Sequence, residues 1–319
     1  MSVAVRAAVA LAATLVVAEG AVRTLGWMLR RDSVVARDAG EAIYCIGDSF
    51  TYGQGVRPEE AWPQVLGRLL PEGAPPVRTL AEPGRSSSVA LAELATVLKR
   101  GDARLVLIMA GWNANDGDFA AWADERRRPV PWSTRVDLWL QHSRLYRVAK
   151  QALTYRRRTV VLEDVKLVPQ TVAMSLYDFR AYQEIARENL GRIARLCRAA
   201  RVPCAFLTYP HQLLPANPYT RTEYYHVLFG RTPLAESEYL FHDRRPGEIG
   251  IDAVIRHVAE REELPLIDLQ PPFERADRHD LFLADYHHPT AAGHALIAQA
   301  VCDAIHAGVG PAALAGGGR

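Results

Sequence analysis

The chain has 319 residues, 49% hydrophobic and 23% charged, an ordinary globular composition with apolar material for one large core or two smaller ones. Lys and Arg number 38 against 36 Asp and Glu, a formal charge of +2, which leaves no broad footprint for nucleic acid or a strongly acidic partner. The four cysteines, Cys45, Cys197, Cys204 and Cys302, include no C-x-x-C pair, which argues against a structural zinc site.

The chain opens with a basic residue, Arg6, and then the uncharged run Ala7–Ala18, the pattern of a signal-peptide core behind a positive start. Apolar character resumes after Glu19 through Ala21, Val22, Leu25, Trp27 and Met28. Glu19 and Arg23 are spaced to pair on a helix, which lowers the cost of burying each. Read as one helix at about 1.5 Å per residue, residues 7–29 reach across a membrane once. The expectation is a membrane-anchoring helix and linker over residues 1–40, uncleaved because no cleavage site stands out, with the main domain outside the cytoplasm. If the segment is cleaved, the protein is secreted.

Strands and helices then alternate. Ala42–Ile46, Val77–Ala81, Leu105–Ala110, Ala205–Tyr209 and the weaker Pro265–Leu269 read as buried strands. Between and after them, Ala61–Leu70, Ser87–Arg100, Asp178–Arg201, Ile251–Glu262 and Thr290–His306 carry helical patterns. Continuously apolar strands alternating with helices predict a three-layer α/β/α sandwich around a mostly parallel five-stranded sheet, spanning residues 41–306. A Trp-rich stretch, about residues 115–177, is too long for an ordinary loop and reads as a helical insertion. The basic runs Arg126–Arg128 and Arg156–Arg158 read as solvated faces. Cys45 and Cys302 fit the core, Cys197 and Cys204 pair only if the chain is exported and the geometry allows, and residues 307–319 form a frayed tail.

In parallel sheets, sites gather beyond the carboxyl ends of the strands. After the first strand comes Gly47-Asp48-Ser49, which presents a hydroxyl into a crevice. After the second comes Gly84, whose backbone is free to approach a ligand. After the third comes Gly111-Trp112-Asn113, an amide placed to donate to an oxyanion. Before the last helix stand Asp285 and His288, three residues apart, so that the carboxylate takes the Nδ1 proton of the ring and leaves Nε2 as a base. Each alone is also a common turn or helix-entry pattern. Together they supply one nucleophile, two oxyanion donors and one oriented base on one sheet edge.

These four blocks resemble those of SGNH/GDSL hydrolases. Gly47-Asp48-Ser49 is similar to their first block, Gly84 to the second-block glycine, Gly111-Trp112-Asn113 to G-x-N, and Asp285-x-x-His288-Pro289 to D-x-x-H-P. Ala114 stands where the family often has Asp, so the inward amide is that of Asn113 or of Asn115; His287 lacks the family spacing from Asp285. The resemblance implies a flavodoxin-like SGNH fold and a Ser49, His288, Asp285 triad. It also implies an oxyanion hole from the Ser49 and Gly84 N–H groups and the Asn113 amide, with no metal or organic cofactor. The expected activity is hydrolysis of acyl esters, O-acyl or O-acetyl groups on carbohydrate or small lipid-like esters. An O-acyltransferase with the same triad and a non-catalytic polysaccharide-binding module are the competing readings.

Overall fold

The computed structural model describes residues 2–31, 40–150, 179–210, 251–276, 279–283 and 288–309, which fall into two compact units. One unit comprises Gly40–Trp122 and Pro169–Arg319, the other Met1–Ala39 and Ala123–Val168.

In the larger unit, β1 (Ala42–Gly47), β2 (Val77–Ala81), β3 (Ala103–Met109), β4 (Cys204–Leu207) and β5 (Leu266–Ile267) form a single sheet in the order β2-β1-β3-β4-β5. Every pairing is parallel. All of β1 and β4 is buried, as an unbroken apolar strand requires when both sheet faces are covered. The edge strand β2 is only half-buried over most of its length. The covering helices are α3 (Trp62–Leu69), α4 (Ser87–Arg100), α7 (Phe179–Ala200), α8 (Ile251–Arg261) and α10 (Ala291–His306). Helix α3 packs on α10, whereas α4, α7 and α8 pack side by side. Short helices α2 (Ser49–Tyr52) and α9 (Gln270–Ala276) complete this unit. The strand and helix positions match those expected from apolar periodicity, and the fold is the expected α/β sandwich with an all-parallel sheet.

The sheet order places its switch point between β1 and β3, where the chain stops adding strands on one side and starts on the other. There Gly47 pairs with Ala81 of β2 and with Met109 of β3, so the three strands end level. A Cβ at Gly47 would stand 2.7 Å from the Met109 carbonyl oxygen, so only glycine lets β1 turn into α2 at this depth.

All four cysteines are buried free thiols. Cys204 and Cys197 are hydrogen-bonded neighbours rather than a disulfide.

The second unit contains α1 (Val3–Arg31), α6 (Trp132–Leu140) and a helical stretch at residues 144–150; α5 (Asp116–Glu125) runs from the larger unit into it. The insertion is therefore helical where it is described, and its remainder to residue 177 lies outside the described residues, as do residues 310–319 of the tail. Among the described residues no helix is long and apolar enough to cross a membrane, so the expected span over residues 7–29 is not found among them. Glu19 and Arg23 lie within the apolar run, and a charge at bilayer depth is costly unless paired. Glu19 and Arg23 do pair, at 2.7 Å. Glu19 also accepts from the Ser143 hydroxyl at 2.8 Å and from the N–H groups of Arg144 and Leu145, both at 2.9 Å. It thus satisfies orphan donors at the start of the helical stretch, and those bonds hold its carboxyl down to about 2.

Candidate active site

Strand β1 delivers Ser49 through a tight turn. Asp48 caps α2, its Oδ1 accepting from Phe50 N–H at 3.1 Å. Ser49 is the first residue of that helix and is almost fully buried.

His288 arrives from the other end of the chain. Residues 281–283 and 288–290 clasp each other: Leu283 N–H donates to the His288 carbonyl at 2.8 Å, Thr290 N–H to the Leu281 carbonyl at 2.9 Å, and Phe282 and Pro289 form an antiparallel bridge. The Thr290 hydroxyl then caps α10 by accepting from Gly293 N–H. With its backbone fixed in this way, the His288 ring places Nε2 3.0 Å from Ser49 Oγ. Asp285 and His287 lie outside the described residues.

The other two expected donors follow β2 and β3. Gly84, at φ +76°, lies in the turn closed by Arg85 N–H donating to the Glu82 carbonyl, and a Cβ there would meet nothing within 4 Å. The following serines fasten this turn: Asn115 Nδ2 donates to Ser86 Oγ at 3.1 Å, and Asn189 Nδ2 to Ser87 Oγ at 3.0 Å. The Asn115 amide is thereby bonded to Ser86, and its Oδ1 accepts from Asp118 N–H at the start of α5. Asn113 makes a different contact: its Nδ2 donates to Asp48 Oδ2 at 3.3 Å, beside the serine turn. Of the two amides left open by the sequence, Asn113 is the one tied to the Gly47-Asp48-Ser49 block.

Asp48 and Tyr209 carry no assigned role in the sequence reading, yet they organise this centre. Asp48 is fully buried. Its Oδ2 accepts from Asn113 and from the Tyr209 hydroxyl at 2.7 Å, and that hydroxyl accepts from Trp112 N–H at 3.3 Å. Tyr209 N–H in turn donates to Asp252 Oδ1 at 2.8 Å. The Phe50 ring packs on Trp112, Tyr209 and His288 with centroids 4.9–5.6 Å apart. The available signal was position: Tyr209 follows β4 on the edge that Ser49, Gly84 and Asn113 occupy. A second imidazole, His294, is also buried; its Nδ1 accepts from Trp62 N–H at 3.3 Å, and burial pushes its pKa down to about 4, which keeps it neutral.

Burial lifts the Asp48 carboxyl from 3.8 to about 6, although the Tyr209 hydroxyl, the Phe50 N–H and the nearby His288 ring all favour its ionised form. Between those pH values the folded protein holds a proton that the unfolded chain has released. The contribution of Asp48 to stability is therefore full at low pH and is lost as the pH rises through about 6. The stability of wild type relative to Asp48→Asn should fall by about 2 to 3 kcal/mol between pH 4 and pH 7.5. Urea unfolding at the two pH values measures it, and a pH-independent difference would place the carboxyl at its ordinary value.

A family model described as GDSL-like lipase/acylhydrolase matches residues 45–296. Among solved structures, the lipase/acylhydrolase from Enterococcus faecalis is similar over 85% of this chain and 98% of its own, at 15% identity and a TM-score of 0.46. The psychrotrophic esterase EstA from Pseudoalteromonas sp. is similar over 84% and 97%, at 15% identity and 0.44. A GDSL-like lipase from Bacteroides thetaiotaomicron is similar over 88% and 95%, at 13% identity and 0.45. No curated protein matches the chain.

Proposed function

The chain belongs to the GDSL-like lipase/acylhydrolase family and is an ester hydrolase of SGNH type; from that premise we propose that Ser49 is its nucleophile, His288 its general base and Asp285 the carboxylate that orients the ring. The observation that carries this reading is the 3.0 Å approach of His288 Nε2 to Ser49 Oγ, between residues 239 positions apart in the chain. That distance is within reach for direct proton transfer.

Ser49 Oγ attacks the ester carbonyl as its proton passes to His288 Nε2. The carbonyl oxygen becomes an oxyanion, received by the N–H groups of Ser49 and Gly84 and by Asn113 Nδ2. Asn113 spends one amide hydrogen on Asp48, which holds the second in a fixed direction. Collapse of the tetrahedral adduct breaks the ester C–O bond, and the imidazolium returns its proton to the departing alkoxide. Water, deprotonated by the same ring, then attacks the acyl-serine and releases the acid.

The substrates we propose are short acyl esters, O-acetyl groups on carbohydrate or small lipid-like esters. The uncharged run Ala7–Ala18 behind Arg6 supports action outside the cytoplasm. The test is turnover of p-nitrophenyl acetate and of acetylated oligosaccharide, with and without an unacetylated sugar acceptor, alongside fluorophosphonate labelling. Release of free acid together with a label on Ser49 is the expected result. Acyl transfer to sugar outpacing acid release would make the enzyme a transferase. Folded protein that neither labels nor turns over would be a binding module.

A further inference from the structure

Large apolar side chains are not exposed evenly over this protein. Among the described residues, nine of the twelve that stand in solvent belong to the smaller unit. One group is on α6, where Trp132 and Trp139 are 77% and 71% exposed and Val136 is 44% exposed. At about 100° per residue, positions 132, 136 and 139 fall within an arc of about 60°. The two tryptophans and the valine therefore form one stripe, and no residue of α6 is buried.

The opposite side of α6 is fastened. Asp137 accepts from Gln141 Nε2, from the Tyr146 hydroxyl and from Lys150 Nζ, each at 2.6 Å. This carboxylate lies about 140° around the helix from Trp132. Helix α6 is thus held by its polar side with the Trp-Val-Trp stripe facing water, and a contiguous exposed apolar stripe marks an interaction site.

Charge identifies the receiver. Residues 123–150 contain seven Lys and Arg against three Asp and Glu, although the whole chain is nearly neutral. Three of those cations, Arg126–Arg128, come shortly before Trp132, and Arg135 flanks the stripe. We infer that this unit docks on an anionic lipid surface, with α6 lying in the interfacial plane and Trp132, Val136 and Trp139 seated at headgroup depth. Trp favours that depth because its ring is apolar while its N–H stays hydrated. Nine residues span about 14 Å, less than half a bilayer core, so the helix lies on the membrane and does not cross it. Stacking on a neutral polysaccharide would use the tryptophans, but neither the intervening valine nor the excess of cations. The inference is independent of the esterase chemistry, since no residue of the stripe belongs to the active site.

The experiment is flotation of the full chain with vesicles of phosphatidylcholine alone and of phosphatidylcholine with phosphatidylglycerol. Binding should require the anionic lipid, weaken in high salt, and fall about ten-fold or more in Trp132→Ser/Trp139→Ser. An unchanged thermal midpoint and unchanged turnover of a soluble ester would locate the loss on the surface. Should that variant fail to fold, Arg127→Glu/Arg147→Glu, which leaves α6 intact, must lose binding to the anionic vesicles. Wild type that ignores both vesicles overturns the inference, as does a Trp variant that floats like wild type. A polysaccharide that captures the chain while vesicles do not, or a concentration-dependent dimer abolished by the Trp substitutions without vesicle binding, would assign the stripe to another occupant and overturn it too.

Discussion

Ser49→Ala should lower kcat on a soluble acyl ester by roughly three to six orders of magnitude while leaving the thermal midpoint within about 2 °C of wild type. The hydroxyl is the atom that would bond to carbon, so its removal abolishes the covalent route and leaves only the catalysis available from oxyanion donors and substrate positioning. His288→Ala should cost nearly as much, because without Nε2 at 3.0 Å the serine is a neutral alcohol with a poor nucleophilic oxygen. The decisive measurement is the double variant. Two groups acting as one unit give a Ser49→Ala/His288→Ala enzyme no slower than the worse single variant. If the two losses multiply instead, serine and imidazole serve separate steps and the proposed mechanism is wrong. Fluorophosphonate labelling, read by mass spectrometry on the peptide holding Ser49, should vanish in the serine variant and drop steeply in the histidine variant.

Asn113→Ala should reduce kcat about 100- to 1000-fold with KM changed little. The ground-state carbonyl needs little from the amide; the developing oxyanion needs a donor already in position. Asp48 supplies that preorganisation, since its Oδ2 engages Asn113 Nδ2 at 3.3 Å and is itself fixed by the Tyr209 hydroxyl at 2.7 Å. A loss confined to KM would mean that Asn113 binds substrate and transition state alike. Asn115→Ala is the internal control. Its amide is engaged with Ser86 and α5, so its effect should appear in stability before it appears in kcat.

The largest parts of the fold were legible because burial on both faces of a parallel sheet forces continuous apolar runs, and these are visible without coordinates. Residues 42–46, 105–110 and 205–209 are such runs. Helix limits were legible where chemistry marks them, as with Thr290, whose hydroxyl caps α10, and Gly101, which ends α4 in the left-handed conformation. The contacts of the N-terminal segment were not legible in this way. Counting apolar residues from 7 to 29 overlooks that Glu19 has partners far along the chain, in the Ser143 hydroxyl and the N–H groups of Arg144 and Leu145. Those partners give the carboxylate a polar task that apolar periodicity does not reveal.

The blocks around Ser49, Gly84, Asn113 and His288 could be read from residue type and spacing, because nucleophile, donor and base each need particular atoms after particular strand ends. Sequence alone therefore determined the fold class and which residues are candidates for the chemistry. It did not decide how they meet. The level endings of β1, β2 and β3, the bond of Asn113 to Asp48 where Asn115 bonds Ser86, and the contact of Tyr209 with Asp48 came from tertiary structure. Hydrogen bonds act over about 3 Å, and which groups come that close depends on strand register and helix packing summed over the whole chain.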